Sequence, residues 1–456
     1  MLINFTLENW RSFREPVTFS MVASKERQHR NRVPKVGKYP VRILPVAALY
    51  GGNASGKSNF FKALCFARNL VVDGVRPNLP IAVEPFRLDD SHALQPTRMS
   101  FELLIDEIIY KFAFAVSSTE VLEEKLAKIT STGETDLYHR VQGQEPVWAP
   151  LLDKMDLLKF AFQSTRKNQL FLTTSIDLNL SLFHPVYDWF KDSLKLIAPD
   201  ARFEPFELFL TEDNPLHAAA NEMLTQLDTG ISQLGGEAIP FADLPLPEEW
   251  KAKLNALVTE ELAYRLRVEQ QGFTLNLVVM RQNGELIAKK LVAYHQKADG
   301  QKTKFEMSME SDGTLRVIDL LPAFINLSEK KNTNVYVIDE IDRSLHTKLT
   351  RALLETYLSA CSPQSRSQLL MTTHDVLLID QNLLRRDEMW VTERNVDGSS
   401  DLYSFSDYEE ARYDKDIRKS YLQGRLGGVP RILTGALLTE VCSGREKQKE
   451  QPDDES

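Results

Sequence analysis

The sequence predicts an α/β fold built around a phosphate-binding loop, with an antiparallel β subdomain and a helical insertion. Three stretches predict it. The first is Gly51-Gly52-Asn53-Ala54-Ser55-Gly56-Lys57-Ser58, which fits G-x-x-x-x-G-K-[ST] at every fixed position. An apolar run at 41–50 precedes it, and a helix-like run at 59–70 follows with Phe60, Leu64 and Ala67 on one face. The second is Val335-Tyr336-Val337-Ile338-Asp339-Glu340, four apolar residues and then two carboxylates. A buried parallel strand delivers such groups at its carboxyl end, where ligands bind in open α/β sheets. The third is Leu369-Leu370-Met371-Thr372-Thr373-His374-Asp375, another apolar strand ending in a histidine.

Each stretch carries chemistry. A strand, a glycine-rich turn and a helix N-terminus form an anion trap, because free backbone N–H groups and the helix dipole both favour phosphate. The loop from Gly51 to Ser58 then wraps the phosphates of ATP, with Lys57 on the β/γ-phosphates and the Ser58 hydroxyl on Mg²⁺. Asp339 supports Mg²⁺ through water, and Glu340 orients and polarises an attacking water. His374 is placed to contact the γ-phosphate. A lone histidine is more often structural, and it is the order after the Asp-Glu strand that favours a sensor. Ser311-Asp312-Gly313-Thr314 opens a helix. It reads equally as a second anion-binding element and as an ordinary cap, because both use the same groups.

In chain order, residues 2–7 and 17–22 alternate as strands, and a basic loop at 25–38 follows. Residues 73–96 read as proline-rich irregular loop. Strands are expected at 98–104, 108–116 and 121–129, with Asp106-Glu107 as a hairpin turn. From 151 to about 263 the apolar spacing becomes helical, with Pro185 in a first turn and a helix at 218–234 closed by Gly235-Gly236. Strands return at 273–280 and 286–294. A helix is expected at 311–327, a strand at 334–339, a helix at 347–360 and a strand at 369–373. The domain expectation is an N-terminal lobe at 1–150, the helical insertion at 151–265, a C-terminal lobe at 266–442 and a polar, disordered tail at 443–456.

The 456 residues carry a net charge of −9, which argues against a bulk field for nucleic acid. The local basic run Lys25, Arg27, Arg30, Arg32, Lys35 and Lys38 reads as a solvated loop. The three cysteines, Cys65, Cys361 and Cys442, are far apart and odd in number. They exclude a disulfide framework or zinc spacing and point to a reducing cytoplasm. The N-terminus lacks the charged and apolar regions of a signal peptide, and no apolar run reaches the roughly 20 residues of a membrane span.

The order of these motifs resembles ABC-type ATPases, and hence a P-loop NTPase of that type. The likeness is to the cytoplasmic branch of SMC, RecF and overcoming-lysogenization-defect proteins, whose opening resembles Leu7-Glu8-Asn9-Trp10-Arg11-Ser12-Phe13-Arg14. Within that branch the chain looks like the AAA-family ATP-binding proteins of bacterial defence islands. These include RloA-like proteins and the ATPase subunit of PARIS-type anti-phage systems. The supporting residues are Glu310-Ser311-Asp312-Gly313-Thr314, Thr372-Thr373-His374-Asp375 and Tyr421-Leu422-Gln423-Gly424-Arg425-Leu426-Gly427-Gly428-Val429-Pro430.

The resemblance implies a slow cytoplasmic ATPase that forms a homodimer or higher homo-oligomer through ATP. Glu340 is then the base and His374 the switch histidine. Ser311 and Gly313 act in trans on ATP held by a second copy, and the loop from Asp342 to His346 crosses the interface. A separate effector, a toxin or a Toprim-type nuclease, and a phage-encoded trigger are implied as partners. A RecF-like DNA-repair ATPase is the alternative. Two departures stand out. Asp312 puts a negative charge where the family's signature has glycine, and only Gln163 offers itself as the Mg²⁺-contacting glutamine. The insertion is also too short for a long coiled-coil arm.

Overall fold

The computed structural model describes residues 1–130, 133–150, 152–201, 215–259, 264–270, 273–408 and 416–429. The N-terminal part gives β1 (Leu2–Glu8), β2 (Val17–Ser20) and β3 (Val46–Tyr50), then α1 (Lys57–Val72). Next come β4 (Thr97–Ile105), β5 (Ile108–Val116), β6 (Val121–Thr130), β7 (Gly133–Val141) and β8 (Val147–Trp148). The middle holds β9 (Leu194–Ile197), β10 (Ile231–Ile239), β11 (Tyr264–Gln270), β12 (Phe273–Gln282), β13 (Glu285–Gln296) and β14 (Lys302–Glu306). The last four strands are β15 (Val335–Ile338), β16 (Gln368–Thr372), β17 (Met389–Arg394) and β18 (Ser400–Ser404).

These strands form three sheets. The central one runs β18-β17-β3-β16-β15-β9, parallel except for the edge strand β18. Every residue of β3, β15 and β16 is buried, as expected of strands covered on both faces. Alternation divides β3 between two cores. Ala47 and Leu49 face Phe60, Leu64 and the rest of α1, while Val46, Ala48 and Tyr50 face the helices Asp312–Ser328 and Thr347–Ala360. A seven-stranded antiparallel sheet, β2-β1-β4-β5-β6-β7-β8, flanks α1. The third sheet is β10-β13-β12-β11, with β14 paired to β13.

Gln368 ties two of the sheets together. Its side chain accepts from Leu2 N–H at 2.6 Å and donates to the carbonyls of Leu2 at 3.0 Å and Leu44 at 3.1 Å, all in buried surroundings. The Asp106-Glu107 hairpin turn forms as read, both residues taking the left-handed φ such a turn needs (48° and 60°). Pro185 likewise sits in the first turn of the short helix His184–Asp188. Among the described residues, no helix is long and apolar enough to cross a membrane.

The segment read as a helical insertion needs correction. It contains the helices Asp156–Ser164, Phe171–Asp177, Pro215–Gln226 and Glu248–Leu257, but also β9, which pairs in parallel with β15 as an edge of the central sheet. The helix read at 218–234 ends at Gln226, and Gly235-Gly236 lie inside strand β10, opposite Val292 and Leu291. The glycines mark a close approach rather than a helix end: a Cβ on Gly235 would sit 3.1 Å from the Tyr294 ring. Strand β7 is also absent from the sequence reading. It is polar, and ion pairs across the sheet support it: Lys125 with Glu134 at 2.7 Å and Asp136 at 2.9 Å. Strands β17 and β18 were not anticipated either.

The basic loop is solvated only in part. Lys25, Arg27, Arg30, Lys35 and Lys38 are exposed, but Arg32 is buried and ion-paired to Glu388 at 2.5 Å. Gln163 lies exposed on the helix Asp156–Ser164 and does not line the nucleotide-sized cleft described below. The tail at 443–456 lies outside the described residues.

Replacing Gln368 by leucine keeps the volume but strands three buried backbone groups. The Gln368→Leu protein is expected to lose about 3 kcal/mol of stability, read as a lower midpoint in urea unfolding at unchanged slope.

Candidate nucleotide site

The loop after β3 and the carboxyl ends of β15 and β16 meet on one side of the central sheet, and the end of β17 lies beside them. The loop's shape is set by backbone. Gly51 has φ 149° and Gly56 has φ 119°, a region that disfavours a side chain, and Ala54 takes a left-handed φ of 61°. A Cβ on Gly51 would meet Ser55 Oγ and the Thr392 carbonyl at 2.5 Å, and one on Gly56 would meet Ser400 Oγ at 2.8 Å. Strand β17 braces the loop from below: Ser55 Oγ and Thr392 Oγ1 are 2.6 Å apart.

Lys57 opens α1 and folds back over the loop. Its Nζ donates to the carbonyls of Gly51 at 2.7 Å and Gly52 at 3.0 Å and lies 3.4 Å from His374 Nδ1. Burial pulls its pKa down to about 8, while the carboxylates of Asp339, Asp342 and Glu340 oppose the shift. Ser58 Oγ donates to Asp339 Oδ1 at 3.5 Å. The buried Asp339 also accepts from the Thr372 hydroxyl at 2.6 Å. Glu340 has a left-handed φ of 49°, a conformation that costs a non-glycine residue about 1–3 kcal/mol. Its Oε1 is 4.0 Å from His374 Nε2. The backbone N–H of His374 donates to both oxygens of Asp342 at 3.3 Å.

These groups border a cleft of about 780 Å³. Asn53, Ala54, Ser55, Gly56, Lys57, Ser58, Glu340 and His374 line it; Gly51, Gly52 and Asp339 do not, and reach it only through their hydrogen bonds to Lys57 and Ser58. Its other half is lined by Arg11, Ser12, Glu84, Phe86, Arg87, Leu88 and Arg394. Sequence reasoning did not assign that half. Arg11 stands in a quoted motif without a role, and Phe86 to Leu88 belong to a stretch read as loop. Thr392 and Arg394 were hidden because β17 itself was missed.

The arrangement suits a triphosphate with a hard divalent cation. Phosphate-loop residues and the Lys57 ammonium line the cleft, and the Ser58 hydroxyl and Asp339 carboxylate stand close enough to share Mg²⁺ directly or through water. Ser311 and Gly313 are not part of this cleft. Ser311 is exposed and caps its own helix, accepting from Thr314 N–H at 3.1 Å. Gly313 lies against the loop after β15, where a Cβ would meet the Ser344 carbonyl at 2.7 Å.

The parallel sheet, the glycine-rich loop and the acidic strand end define a phosphate-loop α/β protein. The chain belongs to the family described as "AAA domain, putative AbiEii toxin, Type IV TA system", whose model matches residues 46–380. No curated protein matches it. Among solved structures it is similar to the SMC head domain from Thermotoga maritima, at 13% identity over 88% of this chain and 98% of that one, with a TM-score of 0.34. It is also similar to an SMC head bound to the C-winged helix domain of ScpA, at 14% identity over 88% of this chain and 97% of the other, with a TM-score of 0.36.

The lysine sets a pH dependence. A phosphate held by Lys57 would need its charged form, so nucleotide affinity that rests on it should be full well below pH 8 and fall as pH rises through about 8. Titration with a fluorescent ATP analogue from pH 6.5 to 9.5 checks this. A lysine at its ordinary value would leave the affinity flat over most of that range.

Proposed function

We propose that this chain binds and slowly hydrolyses Mg-ATP as the ATPase subunit of a bacterial anti-phage system of the RloA-like or PARIS type. It closes in the cytoplasm as a homodimer or higher homo-oligomer and controls a separate effector, a toxin or Toprim-type nuclease, in response to a phage-encoded trigger. The observation that carries the reading is the convergence of Lys57, Ser58, Asp339, Glu340 and His374 on one cleft, while Ser311 and Gly313 sit at a helix tip outside it. A cleft open on one side, plus an exposed helix tip outside it, suits completion by a second copy, although Ser311 caps its own helix in a single copy. The family's description, which names a toxin and a toxin–antitoxin system, supports the defence setting.

In this reading Lys57 and the loop amides hold the β- and γ-phosphates, and Ser58 and Asp339 hold the cation. A cation held there would supply charge neutralisation to the phosphates. Glu340 takes the proton of the attacking water, and His374, beside both Lys57 and Glu340, registers the γ-phosphate. Asp312 at the helix tip brings negative charge toward the partner's γ-phosphate, which suits slow turnover. The basic run that a DNA-binding ATPase would use has one of its arginines, Arg32, committed to Glu388 inside the protein.

Two variants test this. Glu340→Gln keeps the geometry but removes the base, so turnover should fall at least about 100-fold. ATP should then hold the protein as a dimer in light scattering. Lys57→Ala should bind no ATP, stay unassembled, and leave cells open to phage. Full protection by the Lys57→Ala strain rejects the proposal, and retention of DNA on filters that weakens with salt favours a RecF-type repair ATPase instead.

A further inference from the structure

Thr372 is the last residue of β16 and stands in a strand whose other members are apolar or tied to the fold's interior. It is 2% exposed. A buried hydroxyl is costly unless its proton and a lone pair are both used. Here both are used, and the direction of each bond is forced. The Glu340 N–H can only donate, so Thr372 Oγ1 accepts it at 2.8 Å. The Asp339 carboxylate accepts, so the hydroxyl proton goes to Oδ1 at 2.6 Å. The Thr372 carbonyl also accepts the Ile341 N–H at 3.0 Å. One residue on β16 therefore holds three consecutive residues at the end of β15.

We propose that Thr372 is a positioning residue, whose hydroxyl aims Asp339 at the cation and locks the left-handed turn that presents Glu340 to the cleft. The inference rests on the reading of the cleft as a Mg-ATP site. Neither the phosphate-loop motif nor the Asp-Glu pair calls for a hydroxyl at this position; the geometry alone assigns it.

Without the hydroxyl, the side-chain donor left to Asp339 is the Ser58 hydroxyl, at 3.5 Å. That hydroxyl is itself a cation ligand in the proposed site. A freed Asp339 would turn to Ser58 and compete with the metal for it. The Glu340 N–H would lose its acceptor, leaving the left-handed φ of 49° to the backbone bonds from Ile341 N–H to the Thr372 carbonyl and from Arg343 N–H to the Glu340 carbonyl, both at 3.0 Å. The two effects have different readouts. The first weakens the gain in ATP affinity that Mg²⁺ provides, and the second lowers turnover of bound ATP.

The experiment compares Thr372→Val, which keeps the shape, with Thr372→Ser, which keeps the hydroxyl. Binding of a fluorescent ATP analogue is titrated in EDTA and in Mg²⁺, and Mn²⁺ binding to the nucleotide complex is followed by EPR. Thr372→Val should bind metal-free nucleotide within about twofold of wild type. It should lose roughly 10-fold or more in metal-dependent affinity, the usual scale for a group that orients a metal ligand. Turnover should fall in parallel, and Thr372→Ser should restore both. Should the valine protein not fold, Thr372→Ala against Thr372→Ser makes the same comparison. Wild-type metal dependence in Thr372→Val, or a serine variant as impaired as the valine one, overturns the inference while leaving the cleft's reading intact. A wild-type protein that binds no nucleotide overturns the cleft's reading, and this inference falls with it.

Discussion

The structure depends on a backbone conformation that the chain would not adopt unaided. Between β3 and α1 the loop turns sharply, with φ of 149° at Gly51 and 119° at Gly56. Conformational freedom is only half of the reason for glycine at these positions. Each also touches a neighbour with no room for a Cβ: Ser55 and Thr392 at Gly51, Ser400 at Gly56. The loop is thus cast against β17 and β18, two strands more than three hundred residues away. In the sheet order β17-β3-β16, β3 lies between the strand that braces its loop and the strand that leads to His374.

The electrostatics of the cleft follow from the same crowding. Asp339, Glu340 and Asp342 all lie close enough to Lys57 to oppose the fall in its pKa. Around the loop Lys57 stands among these carboxylates, while Arg11, Arg87 and Arg394 line the other half of the cleft with Glu84. Near the loop end, a divalent cation would offset the carboxylates of Asp339 and Glu340. The pairing of the Ser58 hydroxyl with Asp339 leaves hard oxygen donors where that metal would sit.

Much of this was legible in the sequence, for a physical reason. The central strands β3, β15 and β16 are buried on both faces and so appear as short apolar runs ending in polar signals. Strand β17 carries the same kind of run, Met389 to Val391, but ends in Thr392-Glu393-Arg394, which matches no motif. Strand β9 has only four residues and follows directly on helical turns from His184 to Ser193, so the helical period of its surroundings masked it. The Ile231–Ile239 strand failed differently. Its glycines look like a helix stop in one dimension, and only pairing with β13 shows that they make room for Tyr294. Thr372 was in plain view, two residues before His374, but its partners are set by the register of β15 against β16, which no local pattern encodes.

Register also settles why Gly427 and Gly428 occur as a pair. Both have left-handed φ, 69° and 71°, and both lie against β17, Gly427 beside Glu393 and Gly428 beside Val391, Thr392 and the Cα of Gly51. Tyr421 holds this turn by donating to the Gly428 carbonyl at 3.2 Å. The Gly427-Gly428 pair therefore packs against β17 beside the start of the phosphate loop. A parallel chain of contacts leaves the cleft on its other side. It runs from Lys57 to His374, from His374 N–H to Asp342, and through Ser344 to Gly313 at the helix tip. Gly313 needs its missing side chain for that contact within one copy, whatever it does for a second. In the proposed dimer the same tip closes over the partner's nucleotide. A change at one γ-phosphate would then shift the tip that completes the other site, so the two sites would be coupled by the geometry of a single loop.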